Sequence, residues 1–275
     1  MLILGLTGGI ATGKSTVSEI LSQAPYNVPI IDADILARRV VSPGTRAYYK
    51  IIAHFSSTIP DLLTETPSGD NGSQARRGSG APLNRMALAR YVFGNSKECR
   101  ENRAVLNSIV HPAVRLEIFK EVLQKYICGH WIVVLDVPLL FESHLDLLCG
   151  AVLVVAVQDE KIQMRRLQNR DVQLSTAEAE ARIQSQANLS TKIQKCINRG
   201  KDNGIVIYND GDIQELKREI QQVMSKIRIS HPRWWTYILW FFPPIACCLG
   251  LWNLGRSWHL NRKWEQQEEQ AKAKL

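Results

Sequence analysis

Gly8-Gly9-Ile10-Ala11-Thr12-Gly13-Lys14-Ser15-Thr16 fits the pattern G-x-x-x-x-G-K-[ST]. Glycines there let backbone N–H groups converge on phosphate oxygens with no Cβ in the way. A helix opening at Lys14 adds its dipole. Lys14 would neutralise β- and γ-phosphate charge, and the Ser15 hydroxyl would ligate Mg²⁺. The pattern reads as a triphosphate-binding loop; the alternative is a glycine turn that matches by chance. The guanine-reading N-K-x-D and the D-x-x-G of GTPases are absent, and so is the protein-kinase set. Small-molecule kinases remain. They need a carboxylate to take the acceptor's proton, a flexible acceptor-binding region, and arginines that close over the phosphates.

Candidates exist for each need. Asp32 and Asp34 follow the apolar run Val28-Pro29-Ile30-Ile31, at the ligand edge of a parallel sheet. An extended backbone there would put both on one face. One would hold the Mg²⁺ water shell and the other would act as base; alternatively they form an Asx turn capping a helix at Ile35. Arg165, Arg166 and Arg170 cluster on one helical stretch, either as lid arginines over the phosphates or as a solvated face.

These residues need a frame. Leu2–Leu6 is a short apolar run entering the glycines, with no basic n-region, so no signal peptide is expected. Trp131–Val137, Ala151–Val157 and Gly204–Tyr208 are further strand signals, continuous apolar runs as expected for strands covered on both faces. Helical patterns fall at Lys14–Leu21, at Asp159–Arg170, at Thr176–Asn188 and at Asp212–Ile229. Ile35 to about Cys128 is mainly helical, broken by Thr64–Pro82, whose Gly, Ser, Pro and Asn content predicts a disordered insertion. The expected fold is α/β, a five-stranded parallel sheet of the P-loop kinase kind with helical acceptor-binding and lid regions. The expected kinase domain is 1–230.

Composition narrows the class. The 275 residues are 45% hydrophobic and 22% charged, which excludes a wholly disordered or collagen-like chain. Six scattered cysteines without C-x-x-C argue against a disulfide scaffold or a cysteine zinc site. The net charge is +8, but eight basic residues against three acids lie between Lys226 and Leu275. The rest is only mildly basic, so no nucleic-acid partner is expected. That basic excess surrounds Trp234–Trp252, which is 19 residues without a charge. As one helix it is roughly 28 Å long, about a hydrocarbon core. A transmembrane helix is the favoured reading; a hairpin or interfacial anchor is the alternative, because Pro243-Pro244 falls near its middle. A soluble partner-binding segment is the third. Cys247 and Cys248 are read as packing residues, with acylation the alternative. Residues 253–275 read as a polar tail.

The residues resemble those of the dephospho-coenzyme A kinase family, in a eukaryotic, fungal-type form with a C-terminal membrane segment. The resemblance spans most of residues 1–225. It rests on LTGGIATGKST (Leu6–Thr16), IDADILARRVVSPGT (Ile31–Thr45), His111-Pro112, DVPLLFE (Asp136–Glu142), and RRLQNRD (Arg165–Asp171) followed by RIQSQ (Arg182–Gln186). It implies ATP and Mg²⁺ as cofactors, dephospho-CoA as acceptor, and phosphorylation of its ribose 3′-hydroxyl to coenzyme A. By position, Asp34 matches the base and Asp32 lies nearer the metal. Arg38 and His111 match acceptor-binding residues, His111 being otherwise a packing histidine. Arg170 and Arg166 match lid and phosphate arginines. Asn209 closes the strand whose backbone would meet adenine, and Asp136 resembles a Walker B carboxylate, or merely caps its strand. The chain departs from the pattern in the Thr64–Pro82 insertion, in having only Lys192 basic after RIQSQ, and in lacking the acid of the closing strand. Rival readings are another P-loop small-molecule kinase and a membrane-anchored nucleotide-binding scaffold without catalysis. The expected location is cytosolic, tail-anchored to the mitochondrial outer membrane or endoplasmic reticulum; whether the chain associates with other CoA-synthesis enzymes is left open by the sequence.

Overall fold

The computed structural model describes residues 1–64, 80–94, 96–171 and 189–272. Most of the expected insertion (65–79), the expected Thr176–Asn188 helix and RIQSQ lie outside the described residues. The chain divides into two compact units, Met1–Ile31 with Val122–Leu275, and Asp32–Glu121.

The first unit is built on a five-stranded sheet in the order β2-β3-β1-β4-β5. The strands are β1 (Leu2–Gly8), β2 (Ile30–Asp32), β3 (Ile132–Asp136), β4 (Ala151–Ala156) and β5 (Gly204–Tyr208). β1 pairs in parallel with β3, Leu2 against Ile132 through Leu6 against Asp136. On its other side it pairs with β4, Leu4 against Ala151 through Gly8 against Val155. β5 extends β4 in the same direction. Every residue of β3 and of β4 is buried, which is why both read as unbroken apolar runs. β2 starts later than its sequence run suggests. Pro29 has no N–H to give a ladder, and it contributes only its carbonyl, to Val134 N at 3.0 Å.

Helices α1 (Lys14–Ser22), α6 (Glu160–Arg170), α7 (Leu189–Ile197) and α8 (Ile213–Ser230) belong to this unit. The starts of α6 and α8 are chemically marked: Asp159 and Asp212 each accept a first-turn N–H, so each sits one place outside its helix. Leu4, Leu6, Val17, Leu21, Leu153 and Ile220 share the core between sheet and helices.

The C-terminal segment departs from the expected single span. It forms α9 (Arg233–Phe241) and α10 (Pro243–Lys272), separated at Phe242, whose φ of −123° and ψ of 74° are not helical. Proline restricts the residue before it and suits a helix's first position. Hydropathy counted the apolar residues and not this break. No helix among the described residues is long and apolar enough to cross a membrane. Cys247 and Cys248 are exposed rather than packed. Residues 253–272, read as a polar tail, continue α10 and carry contacts of their own. Ser257 is buried at 4% exposure, and its hydroxyl accepts from Arg199 Nη2 at 3.1 Å. Asn261 donates to Asp146 Oδ2 at 3.0 Å. Arg199 and Asp146 form a buried ion pair at 3.1 Å, and burial pushes the Asp146 carboxyl above its usual range. Tyr126 OH bonds the Leu239 carbonyl, and Trp240 Nε1 reaches Ile127 O at 3.3 Å.

The second unit is helical: α2 (Ala33–Val40), α3 (Arg46–Phe55), α4 (Arg85–Val92) and most of α5 (Lys97–Ile127). Tyr48, Ile51, Phe55, Ile59 and Leu62 form its core. An antiparallel bridge joins Leu63 to Leu83, and Tyr48 OH donates to Ala81 O at 2.6 Å.

Candidate active site

The glycine loop Gly8–Thr16 is held from beneath by the residue that follows β5. Asn209 Nδ2 donates to Thr12 O at 2.9 Å across 197 residues. The Asn209 backbone N–H bonds Ala156 O at 2.8 Å, and its carbonyl accepts Arg166 Nη1 at 2.7 Å. Gln163 Nε2 donates to Ile10 O at 2.7 Å. Thr12, fully buried, closes the loop on itself through Oγ1 to Gly9 O at 3.0 Å. These bonds fix carbonyls on the inner side of the loop, and a preorganised loop is what an anion site requires.

Two glycines are sterically required. A Cβ on Gly8 would lie 2.6 Å from Val155 O. Gly13 has φ +93° as the N-cap of α1, and a Cβ there would collide with the Asn209 amide. Ala11 shares the left-handed region at φ 56°.

Lys14, at the first position of α1, places Nζ 2.5 Å from Asp136 Oδ1. Asp136 ends β3 and is 4% exposed. The segment after it is tied down as well. Thr7 Oγ1 and Lys192 Nζ both donate to Pro138 O, at 2.9 and 2.8 Å, and Lys192 Nζ sits 3.3 Å from Glu142 Oε1. Ser15 is exposed beside Lys14. An exposed hydroxyl and a strand-end carboxylate are oxygen donors of the kind a hard divalent cation takes alongside phosphate oxygens. Among the described residues no group of three or more His, Cys, Asp or Glu could hold a metal ion by itself. The Ser15 hydroxyl and the Asp136 carboxylate are donors that Mg²⁺ accepts.

Asp32 and Asp34 part company. The helix starts directly after Asp32, so the extended alternation that would align them does not exist. Asp32 Oδ1 caps α2, accepting from Asp34 N at 2.8 Å and Ile35 N at 3.0 Å. Asp34 is exposed on the first turn of α2. It lines a cavity of about 340 Å³ within the second unit, together with Arg38, Arg85, Val41, Leu83 and Leu106. Arg39, the next residue on α2, is paired with Glu121 at 2.9 Å. His111 is exposed on α5, one residue after the cavity-lining Val110, and does not itself line the cavity.

Of the three arginines expected over the phosphates, Arg166 is a prop beneath Asn209. Arg170 forms a fork with Asp171, both N–O distances 3.2 Å. Arg165 is exposed. The sequence reading named Asn209 for its backbone alone and Lys192 without a role, and passed over Gln163 and Arg85. Gln163, Lys192 and the Asn209 side chain act through contacts made 50 or more positions away. Arg85 carried one signal, its place directly after the helix-capping Asn84.

Comparison with known proteins points one way. The family model for dephospho-CoA kinase (CoaE) matches residues 2–215. The chain is 38% identical over 246 residues to "Dephospho-CoA kinase CAB5" of Saccharomyces cerevisiae, covering 90% of each chain. It is 41% identical over 228 residues to the dephospho-CoA kinase of Bacillus anthracis, covering 83% of this chain and 98% of the bacterial one. Among solved structures it resembles TT1252 from Thermus thermophilus, with a TM-score of 0.60 and 27% identity, over 82% of this chain and 97% of that one.

Proposed function

The chain belongs to the dephospho-CoA kinase family, and from that premise we propose how its residues share the work. It is an ATP-dependent kinase that phosphorylates dephospho-CoA, giving coenzyme A and ADP. The triphosphate lies in the loop Gly8–Thr16, where backbone N–H groups and the α1 dipole meet the phosphate oxygens. Lys14, steadied by Asp136 at 2.5 Å, stabilises charge on the moving phosphoryl group. Mg²⁺, bound with the nucleotide, would neutralise the β- and γ-phosphate oxygens. Ser15 and Asp136 would supply the donors of this chain. Arg170 exchanges Asp171 for the phosphates as the site closes and water is excluded.

The single observation that carries the acceptor assignment is the division of labour at the start of α2. Asp32 spends its Oδ1 on the cap, which leaves the Asp34 carboxylate exposed at a cavity that also presents Arg38. Asp34 takes the proton of the ribose 3′-hydroxyl at a carboxylate oxygen as the phosphoryl group arrives. The test is the full chain with ATP, Mg²⁺ and a panel of hydroxyl acceptors, read by product mass. Coenzyme A forming from dephospho-CoA far faster than phosphorylation of any other acceptor is expected. ADP release without coenzyme A refutes the assignment.

We propose further that α9 and α10 lie on a lipid surface, holding the kinase at the cytosolic face of an organelle membrane. Tyr237, Phe241, Leu251 and Trp252 are each more than 60% exposed, a concentration unusual for a solvated surface. Arg256, Arg262 and Lys263 are exposed nearby, the cationic complement of anionic lipid. Sedimentation with phosphatidylserine-containing vesicles, weakened in Phe241→Ser with Trp252→Ser, is expected; equal sedimentation of both proteins overturns it.

A further inference from the structure

Arg85 sits where elementary electrostatics disfavours a cation. It is the first residue of α4, whose first turn holds no acid to offset it, and a helix N-terminus is the positive end of the dipole. Its backbone is fixed nonetheless. Asn84 Oδ1 accepts from Ala87 N at 3.1 Å, and Asn84 N bonds Leu62 O at 2.7 Å. Arg39 has its carboxylate in Glu121. Arg38 and Arg85 have no ion pair or side-chain hydrogen bond among the described residues. Both line the same cavity as Asp34, so two guanidiniums face one carboxylate there. The rest of the lining is apolar, including Val41, Ile51, Leu83 and Leu88. Among the described residues no ion pair offsets this positive excess, and an anionic ligand would.

We propose that Arg85, with Arg38, grips the diphosphate of the acceptor and so selects a nucleotide-like acceptor over a bare ribose. The inference rests on the cavity being the acceptor site. A guanidinium offers a planar fork of donors that matches phosphate oxygens in pairs, as an ammonium cannot. Arg38 lies one helical turn from Asp34 on α2, so a diphosphate held by the two arginines keeps the adjoining sugar at the base. The apolar lining takes an uncharged part of the same molecule. Arg85 is thus a substrate-binding residue for affinity, whereas Asp34 serves the chemical step.

The experiment is steady-state kinetics on the full chain at saturating ATP and Mg²⁺, comparing Arg85→Ala, Arg85→Lys and, as control on the same helix, the exposed Arg90→Ala. Losing a charge-assisted pair of bonds raises KM for dephospho-CoA roughly 10–100-fold in Arg85→Ala. The change leaves kcat within about threefold and KM for ATP unchanged. Arg85→Lys recovers only part of the KM, and Arg90→Ala matches the parent. The parent's KM also rises more steeply with salt than that of Arg85→Ala. An unchanged KM in Arg85→Ala overturns the inference, as does a loss confined to kcat or an equal rise in KM for ATP. A parent that forms no coenzyme A would instead overturn the acceptor assignment itself, so the two failures are told apart by the parent alone.

Discussion

Gly13→Ala tests the account of the loop quantitatively. Two separate costs follow from the structure. A left-handed backbone, φ +93° at this residue, costs an L-residue about 1–2 kcal/mol. The new methyl also collides with the Asn209 amide, which must leave its 2.9 Å bond to Thr12 O. A buried carbonyl left unsatisfied costs about 1–3 kcal/mol more. The sum is about 2–5 kcal/mol, on the order of 10 °C in Tm for a unit of this size. Only the second cost involves Asn209, so a double-mutant cycle separates them. In an Asn209→Ala background the methyl has room, and Gly13→Ala should cost only the backbone share of about 1–2 kcal/mol. The assay is urea denaturation of the nucleotide-free full chain for the parent, both single variants and the double variant. A coupling near zero would refute the claim that Asn209 holds the loop, and so would a Gly13→Ala cost below about 1 kcal/mol.

Two further predictions concern stability. Arg199→Ala strands the buried Asp146 carboxylate and should cost about 3–5 kcal/mol; replacing both partners by Met and Leu should regain most of it in the same denaturation assay. His231, which follows α8, has its imidazole pKa lowered from 6.5 mainly by burial. The unfolded chain then takes up this proton before the folded one does. Stability is lost as pH falls below about 6.5 toward the folded value, and the fall in Tm between pH 7 and 5.5 should be shallower in His231→Gln.

Much of the fold is written in local chemistry. β3 and β4 are buried on both faces, so their apolar runs have no competing reading. Asp159 and Asp212 mark helix starts because a carboxylate before a periodic stretch satisfies N–H groups that nothing else reaches. The glycine loop is legible because its conformation admits few other residues. What was not legible depends on partners distant in sequence. Nothing near Asn209 says that its side chain, rather than its backbone, would serve the loop. Arg166 looks like a phosphate ligand until Asn209 O is found at its guanidinium. The role of Asp32 turned on one helix boundary: a helix starting at Ala33 makes it a cap and separates it from Asp34. At Trp234–Trp252 a sum over apolar residues outweighed Pro243, whose constraint on Phe242 ends the helix. The network of Asp146, Arg199, Ser257 and Asn261 joins polar residues through bonds that each span 50 or more positions, which no local pattern links.

The most direct test of the central claim is the full chain and its Asp34→Asn variant, each given ATP, Mg²⁺ and dephospho-CoA, with coenzyme A followed by mass and ATP affinity measured separately. The variant removes the proton acceptor and keeps the shape, so coenzyme A formation should fall roughly 10²–10⁴-fold while ATP still binds. A variant that makes coenzyme A within a few-fold of the parent would show that Asp34 is not the base.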